Sequence, residues 1–139
     1  MYATQTDIEN AYGSEALLLV ADRDGDGSVD QPVLDDALAS ADATIDGYVN
    51  ARYALPLAQT PQLLTDIAVD LVMYRLASQA DLATEERRNR YDDAIKTLRG
   101  ISKGEIRLGL DEPAESGTGK VHVESKDRRF TRGSMGRLT

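Results

Sequence analysis

The sequence predicts an all-α protein, a small bundle of four to five helices around a central antiparallel helix pair. Two stretches between residues 33 and 80 carry apolar residues at spacings of three and four, which place them on one face of a helix. The break between the stretches is short, and short connections favour antiparallel packing of neighbouring helices. Aromatic residues make up only 5% of the chain, which predicts the aliphatic core that suits helices.

Two short helices are expected before the central pair. Residues 1–13 open with Thr4 and Asp7, which fit a capping box because each can bond the backbone N–H of the other. Residues 15–21 form an apolar run that is too continuous for a surface helix. The sequence therefore predicts that this second run is a buried turn or two of helix.

An aspartate-rich loop at residues 22–30 is the sharpest local motif. Aspartates at alternate positions followed by glycine match the first half of an EF-hand-type calcium loop. Calcium binds six to eight hard oxygens, and Gly27 permits the sharp turn that would bring carboxylates together. Five residues are the candidate ligands, the serine through its backbone carbonyl: Asp22, Asp24, Asp26, Ser28 and Asp30.

The second half of this loop departs from the EF-hand pattern. Val33 occupies the position that should supply a bidentate glutamate. The alternative interpretation is a polar loop in which Asp30 caps the next helix and Pro32 lies in its first turn. A calcium-sensor EF-hand is not expected, since the closing glutamate and a second hand are both absent. The sequence leaves open a weak calcium site or a capped loop.

The central helices are expected at about residues 32–52 and from Thr60 to about residue 80. Pro56 disfavours helix in the residue before it, whereas Thr60 and Pro61 suit a cap and a first turn. The first helix carries four acidic residues that we expect on its solvated outer side: Asp35, Asp36, Asp42 and Asp46. In the second helix Asp66 and Asp70 are like charges four apart, which indicates either a solvated face or a basic partner.

A further helix is expected from Thr84 to a stop at Lys103 and Gly104. Acidic residues follow Thr84, where the helix dipole favours them, and a lysine before glycine is typical of a helix end. Apolar residues alternate over residues 105–110, which indicates a short strand or an extended arm.

From residue 111 the composition changes to a linker rich in Pro, Gly, Ser and Glu, and then to a basic segment. We therefore expect a helical domain at residues 1–110 and a linker with an extended basic arm at residues 111–139. Residues 1–119 carry 10 Lys and Arg against 22 Asp and Glu, whereas residues 120–139 carry 6 against 2. The chain's one phenylalanine lies in this arm, and the expected partner-binding residues are Phe130, Arg128, Arg129 and Arg132.

Composition excludes several classes of function. A net charge of −8 argues against a general nucleic-acid binder, and the absence of cysteine excludes disulfides and thiolate chemistry. With one histidine and no nucleophile elbow, phosphate loop or zinc ligand set, we do not expect an enzyme. No apolar run is long enough for a membrane span and no signal-peptide pattern is present, so the chain is expected to stay where it is made.

Several motifs occur in a specific order along the chain. The most specific is the Tyr-Ala-Leu-Pro-Leu break of residues 53–57, which follows Ile-Asp-Gly-Tyr at residues 45–48. The opening residues 2–7, the loop of residues 22–30 and the closing Arg-Phe-Thr-Arg of residues 129–132 belong to the same pattern. In this order the motifs resemble those of the Mu-like phage family of small head–tail connector proteins, and the resemblance covers nearly the whole chain.

The resemblance implies an adaptor in the virion neck, made in the bacterial host cytoplasm. It implies a ring, expected to be twelvefold like the portal, whose partners are the portal protein and the next neck or tail protein. DNA would pass through without specific binding, and no cofactor would be required. Two alternatives stay open from the residues themselves: a calcium-binding helical interaction module, and a DNA-binding accessory protein acting through the basic arm.

Overall fold

The computed structural model describes residues 1–112, which fold into five α-helices without a β-strand. The predicted all-α class is therefore confirmed for this part of the chain. Residues 113–139 lie outside the described residues, and with them the predicted partner-binding residues of the arm. The helices are α1 (Gln5–Tyr12), α2 (Ser14–Ala21), α3 (Gln31–Val49), α4 (Gln62–Gln79) and α5 (Glu85–Ser102).

Helices α3 and α4 form the expected central antiparallel pair. Near the start of α3, Asp36 pairs with Arg75 from the second half of α4 at 3.4 Å. Near the other end, Tyr2 contacts both Asp46 of α3 and Thr65 at the start of α4. These cross-connections place the beginning of one helix beside the end of the other. Helix α5 packs against both members of the pair.

The core is aliphatic and centres on α4, which contacts all four other helices. Contact on several sides explains why nine residues of α4 are buried, more than one helix face can supply. Tyr53 is the one aromatic residue among the buried hydrophobic residues of the described chain. The largest fully buried side chains are those of Ile8, Leu17, Leu34, Ile45, Leu64, Met73, Leu76, Leu98, Ile101, Val20, Val49 and Val72.

The two N-terminal helices form as predicted, with one correction. The Asp7 N–H donates to Thr4 Oγ1 at 3.4 Å and the Thr4 N–H donates to Asp7 Oδ2 at 2.8 Å, which confirms the capping box. In α2 the expected complete burial is wrong, because Leu19 is 62% exposed. Helix α2 packs mainly against α1 and α4, and successive residues turn about 100° around a helix, so one side of the apolar run faces outward.

The start of α4 and the acidic side of α3 differ from the expectation. Thr60 does not cap α4, since Pro61 is the N-cap residue and no side chain bonds the first turn. The expected solvation of Asp42 and Asp46 is wrong as well, because both carboxylates accept hydrogen bonds from Tyr2. The N-terminal segment lies across this end of α3 and replaces water there.

Helix α5 begins and ends as predicted. Thr84 Oγ1 accepts a hydrogen bond from the Arg87 N–H at 3.2 Å, and the helix stops one residue before Lys103. Residues 105–110 contain bends and no strand, and they follow a positive φ angle of 77° at Gly104 and include one of 72° at Gly109, which interrupts the extended conformation. Within residues 1–112, no helix combines the length and hydropathy that a membrane span needs.

Candidate functional site

The aspartate-rich loop connects α2 to α3, and its ends lie together. The Asp30 N–H donates to the Ala21 carbonyl at 3.0 Å, which closes the loop at its base. Within it, Gly25 and Gly27 have φ angles of 76° and 84°, in the region that glycine adopts without strain. The predicted sharp turn is therefore present.

The carboxylate of Asp22 is the centre around which this loop folds. It accepts backbone N–H bonds from Gly25 at 2.8 Å, Asp26 at 3.2 Å and Gly27 at 2.9 Å. A carboxylate has about four acceptor positions, so after these three bonds the Asp22 carboxylate keeps one with which it can bind a cation. The loop is held by its own backbone rather than by packing, since Asp24, Gly25, Asp26, and Gly27 are exposed.

Three of the five predicted ligands come together. One carboxylate oxygen from each of Asp22, Asp24 and Asp30 lies within 4.8 Å of the others, an arrangement that could hold a metal ion. Asp26 is not part of this group, and its Oδ1 accepts bonds from the Ser28 N–H at 2.9 Å and the Ser28 hydroxyl at 2.7 Å. Hard carboxylate oxygens in this number suit calcium, with water or carbonyls completing the shell.

Asp30 does not cap α3 as the alternative interpretation required. It occupies the N-cap position, but its side chain makes no capping bond. Its Oδ2 instead accepts the Arg23 N–H at 2.6 Å. The Arg23 guanidinium donates to the Leu76 carbonyl at 3.3 Å and to Gln79 Oε1 at 3.4 Å, near the end of α4. Arg23 therefore connects the loop to the helical bundle. The aspartate motif of the loop does not indicate this role.

The pKa values in the loop reflect crowding of negative charge. The Asp26 N–H bond lowers the pKa of Asp24, but desolvation and the neighbouring carboxylates of Asp22, Asp26 and Asp30 raise it above its usual value on balance. The Ser28 hydroxyl and N–H lower the pKa of Asp26. The surroundings of Asp24 thus disfavour its ionised form, and a bound cation would stabilise that form.

A second feature is the α1–α4 cleft, a depression of about 470 Å³ between those helices. Three carboxylates line it, from Asp7, Asp66 and Asp70. The Tyr12 hydroxyl donates to Asp70 Oδ1 at 2.7 Å, and burial together with this bond raises the pKa of Tyr12. The like-charged pair seen in the sequence thus lies in an acidic cleft. Its other lining residues are Asn10, Ala11, Tyr12, Gln62, Thr65, Val69 and Arg90.

Comparison with known proteins identifies the family of this chain. A model of the family described as "Bacteriophage Mu, Gp36" matches residues 2–125, which include all five helices. The chain belongs to this family. The Mu-like part of the predicted resemblance is therefore confirmed.

Two relatives of this chain come from a bacterial prophage and from a phage. "Mu-like prophage FluMu protein gp36" of Haemophilus influenzae is 33% identical over 124 residues, which cover 87% of this chain and 86% of the relative. "Gene product J" of Escherichia phage Mu is 31% identical over 139 residues, with 97% of each chain covered. The similarity extends along almost the full length of both relatives.

Proposed function

We propose that this protein is a structural virion component of a tailed phage, a head–tail connector in the virion neck. The observation that carries the proposal is membership of the phage Mu Gp36 family, with 97% coverage of gene product J of phage Mu. The residue motifs of the sequence resemble those of Mu-like head–tail connector proteins. A five-helix body that is followed in the sequence by a basic segment is consistent with an adaptor that contacts several proteins.

The charge distribution supports a protein through which DNA passes without being bound. Residues 1–84 carry 14 Asp and Glu against 3 Lys and Arg, whereas residues 85–112 carry 7 of each. The acidity of the body therefore lies in α1 to α4 and their loops. A surface of this sign repels phosphate, and protein–DNA affinity depends on neutralising phosphates with Lys and Arg.

In this proposal the copies form a ring, twelvefold like the portal above it, and a downstream neck or tail protein docks below. The arm, through Phe130, Arg128, Arg129 and Arg132, contacts a neighbouring subunit or the portal. A DNA-binding accessory function would depend on the arm alone. The proposal includes no catalytic step and no required cofactor.

The test is a phage in which the gene is interrupted by a stop codon. We expect filled heads and complete tails that do not join, because the part between them is missing. Supplying the wild-type chain from a plasmid restores joined particles and controls for effects on neighbouring genes. Normal numbers of joined particles without the chain would refute the proposal.

We propose as a second function that the loop of residues 22–30 binds calcium. The observation in its favour is the grouping of the Asp22, Asp24 and Asp30 oxygens within 4.8 Å. Such an ion would rigidify the link between α2 and α3 and is compatible with the connector proposal. Titration calorimetry of the full chain with calcium tests it, with Asp35→Asn, an exposed acid outside the loop, as the control. Absence of binding heat at millimolar calcium would refute it.

A further inference from the structure

We propose that the α1–α4 cleft receives the basic segment of residues 126–132 from a neighbouring copy. This inference rests on the proposed connector function, since it supplies the contact that would hold successive copies together. It begins from an imbalance in the cleft. Among the described residues that line the cleft, Asp7, Asp66 and Asp70 contribute three carboxylates, and Arg90 is the one cation.

Arg90 neutralises the cleft only in part, because its charge acts on Glu86 of its own helix as well as on Asp70 in the cleft. Its Nη2 donates to Glu86 on its own helix at 2.7 Å, and its guanidinium lies over the Tyr12 ring at 5.3 Å from the centroid. Glu86 is a further acid beside the cleft, so the charge of Arg90 is shared. The region keeps a negative excess that an incoming cation would complement.

Each cleft carboxylate also keeps one oxygen that the bonds within residues 1–112 do not use. Asp7 accepts its capping bonds through Oδ2, Asp66 accepts the Gln62 amide through Oδ1 at 2.9 Å, and Asp70 accepts Tyr12 through Oδ1. These internal bonds fix the side chains in place. Fixed carboxylates with a remaining acceptor are suited to guanidinium groups, which donate several bonds in a planar fork.

Apolar groups line the cleft beside the carboxylates, as an aromatic side chain between such cations requires. The partly buried Tyr12 ring and Ala11 are among the lining residues. Residues 126–132 combine Lys126, three arginines and Phe130 with one acid. By contrast, the cleft between α3 and α5 is lined by Lys96 and Arg99 with one acid, Asp92, so its lining lacks the negative excess that would attract the same segment.

A contact between the basic segment of one copy and the cleft of the next is compatible with a closed ring. The donor segment and the receiving cleft are different surfaces, and contacts between different surfaces generate rings when the rotation closes. Thirteen residues lie between Glu112 and Lys126, and the fourteen steps from one to the other span at most about 50 Å when extended. A neighbour's cleft and the chain's own cleft are alternative destinations within such a reach, so the experiment separates the two.

The chain has no cysteine, which allows single cysteines to report the contact. Full-length chains carrying Asn10→Cys, at the exposed rim of the cleft, are mixed with differently tagged chains carrying Thr131→Cys and then oxidised. We expect a disulfide between the two kinds of chain. A matched mixture with Ala43→Cys, on the exposed surface of α3, gives about tenfold less product. Equal yields would refute the cleft contact.

A double variant with both cysteines in one chain tests the origin of the arm. If it closes its disulfide within the chain while the mixture of single variants does not react, the arm binds its own cleft and exchange between copies is refuted. If neither reacts, the cleft does not receive the arm. Disulfides between copies in the mixture support the proposal.

Charge reversal supplies the second measurement. Asp66→Lys loses the Gln62 bond and reverses one cleft charge, and Asp35→Lys is its match, because Asp35 is also exposed and accepts a bond from Gln31 four residues earlier. We expect Asp66→Lys to lower the disulfide yield about tenfold, Asp35→Lys to leave it unchanged, and Arg129→Asp to restore it in the Asp66→Lys background.

The two proposals fail separately. A low disulfide yield in chains that still join heads to tails would refute the cleft contact and leave the connector function. Joined particles in the absence of the chain would refute the connector function instead.

Discussion

Replacing Tyr2 by phenylalanine removes one hydroxyl from the point where the N-terminal segment crosses the central helix pair. That hydroxyl donates to Asp46 of α3. The other hydrogen bonds of Tyr2 involve its backbone. Its N–H donates to Asp42 at 2.9 Å, and its carbonyl accepts from the Thr65 hydroxyl at 2.8 Å. Both bonds remain after the substitution. The substitution therefore isolates a single side-chain bond to a carboxylate.

The expected cost follows from the nature of that bond. Hydrogen bonds to charged groups contribute about 1.5 to 3 kcal/mol. Asp46 is partly exposed, so water replaces part of the interaction, and we expect a loss of about 1 to 2 kcal/mol. With an unfolding entropy of about 2.1 cal/mol/K per residue over the described chain, this loss lowers Tm by about 4 to 8 °C.

Urea unfolding followed by circular dichroism measures this change in the free energy of unfolding. Tyr48→Phe is the matched control, because Tyr48 is also partly buried and its hydroxyl makes no hydrogen bond within residues 1–112. The control should stay within about 0.5 kcal/mol of wild type. Equal effects of the two substitutions would refute the role assigned to the Tyr2 hydroxyl.

The pH dependence gives the same prediction an independent test. Burial, the hydrogen bond to Asp46 and the charges of Asp46 and Asp42 raise the pKa of Tyr2 above its ordinary value. The stabilisation is therefore complete below about pH 10, the ordinary tyrosine pKa, and is lost as pH rises above it. Above that pH the wild type should lose more stability than Tyr2→Phe, and parallel curves would contradict the assignment.

Three further outcomes follow from the structure. Leu98→Ala, at a fully buried site, should cost about 2 to 5 kcal/mol in urea unfolding, whereas Leu19→Ala, at a site 62% exposed, should cost less than about 0.5 kcal/mol. Calcium should raise Tm of the wild type but not of Asp24→Ala, and its affinity measured by calorimetry should fall on acidification, since the raised pKa of Asp24 favours proton competition. Deleting residues 121–139 should leave the helical circular dichroism and Tm unchanged but abolish joining of heads and tails.

Features decided by near neighbours in the chain could be predicted from the sequence. The capping of α1 by Thr4 and of α5 by Thr84 depends on atoms within three residues. The apolar spacing of α3 likewise requires only a helical period, and Leu34, Leu38, Ala41, Ile45 and Val49 are all buried as it indicates. These signals fixed the class and the central pair.

Features decided by distant contacts could not be predicted. Asp42 and Asp46 have the composition of a solvated helix face, and only the position of Tyr2, some forty residues earlier, makes them acceptors. The exposure of Leu19 depends in the same way on which helices lie beside α2. A single sequence gives the face of a helix but not its neighbours.

The aspartate loop shows both cases within nine residues. Its turn and the approach of Asp22 and Asp24 follow from local glycine placement and local N–H donors. Asp26 lies outside the group and binds Ser28, and Asp30 binds the Arg23 N–H instead of capping α3. Spacing alone predicted all of these residues as ligands, but the conformation of the folded loop decides which carboxylates face a common point.

The position of the protein in the assembled particle tests the central claim most directly. Purified particles would be labelled with gold-conjugated antibody against the folded body and viewed by electron microscopy, with particles lacking the gene product as the control. The connector proposal predicts label at the head–tail junction. Label elsewhere on the particle, or none on finished particles, would contradict it.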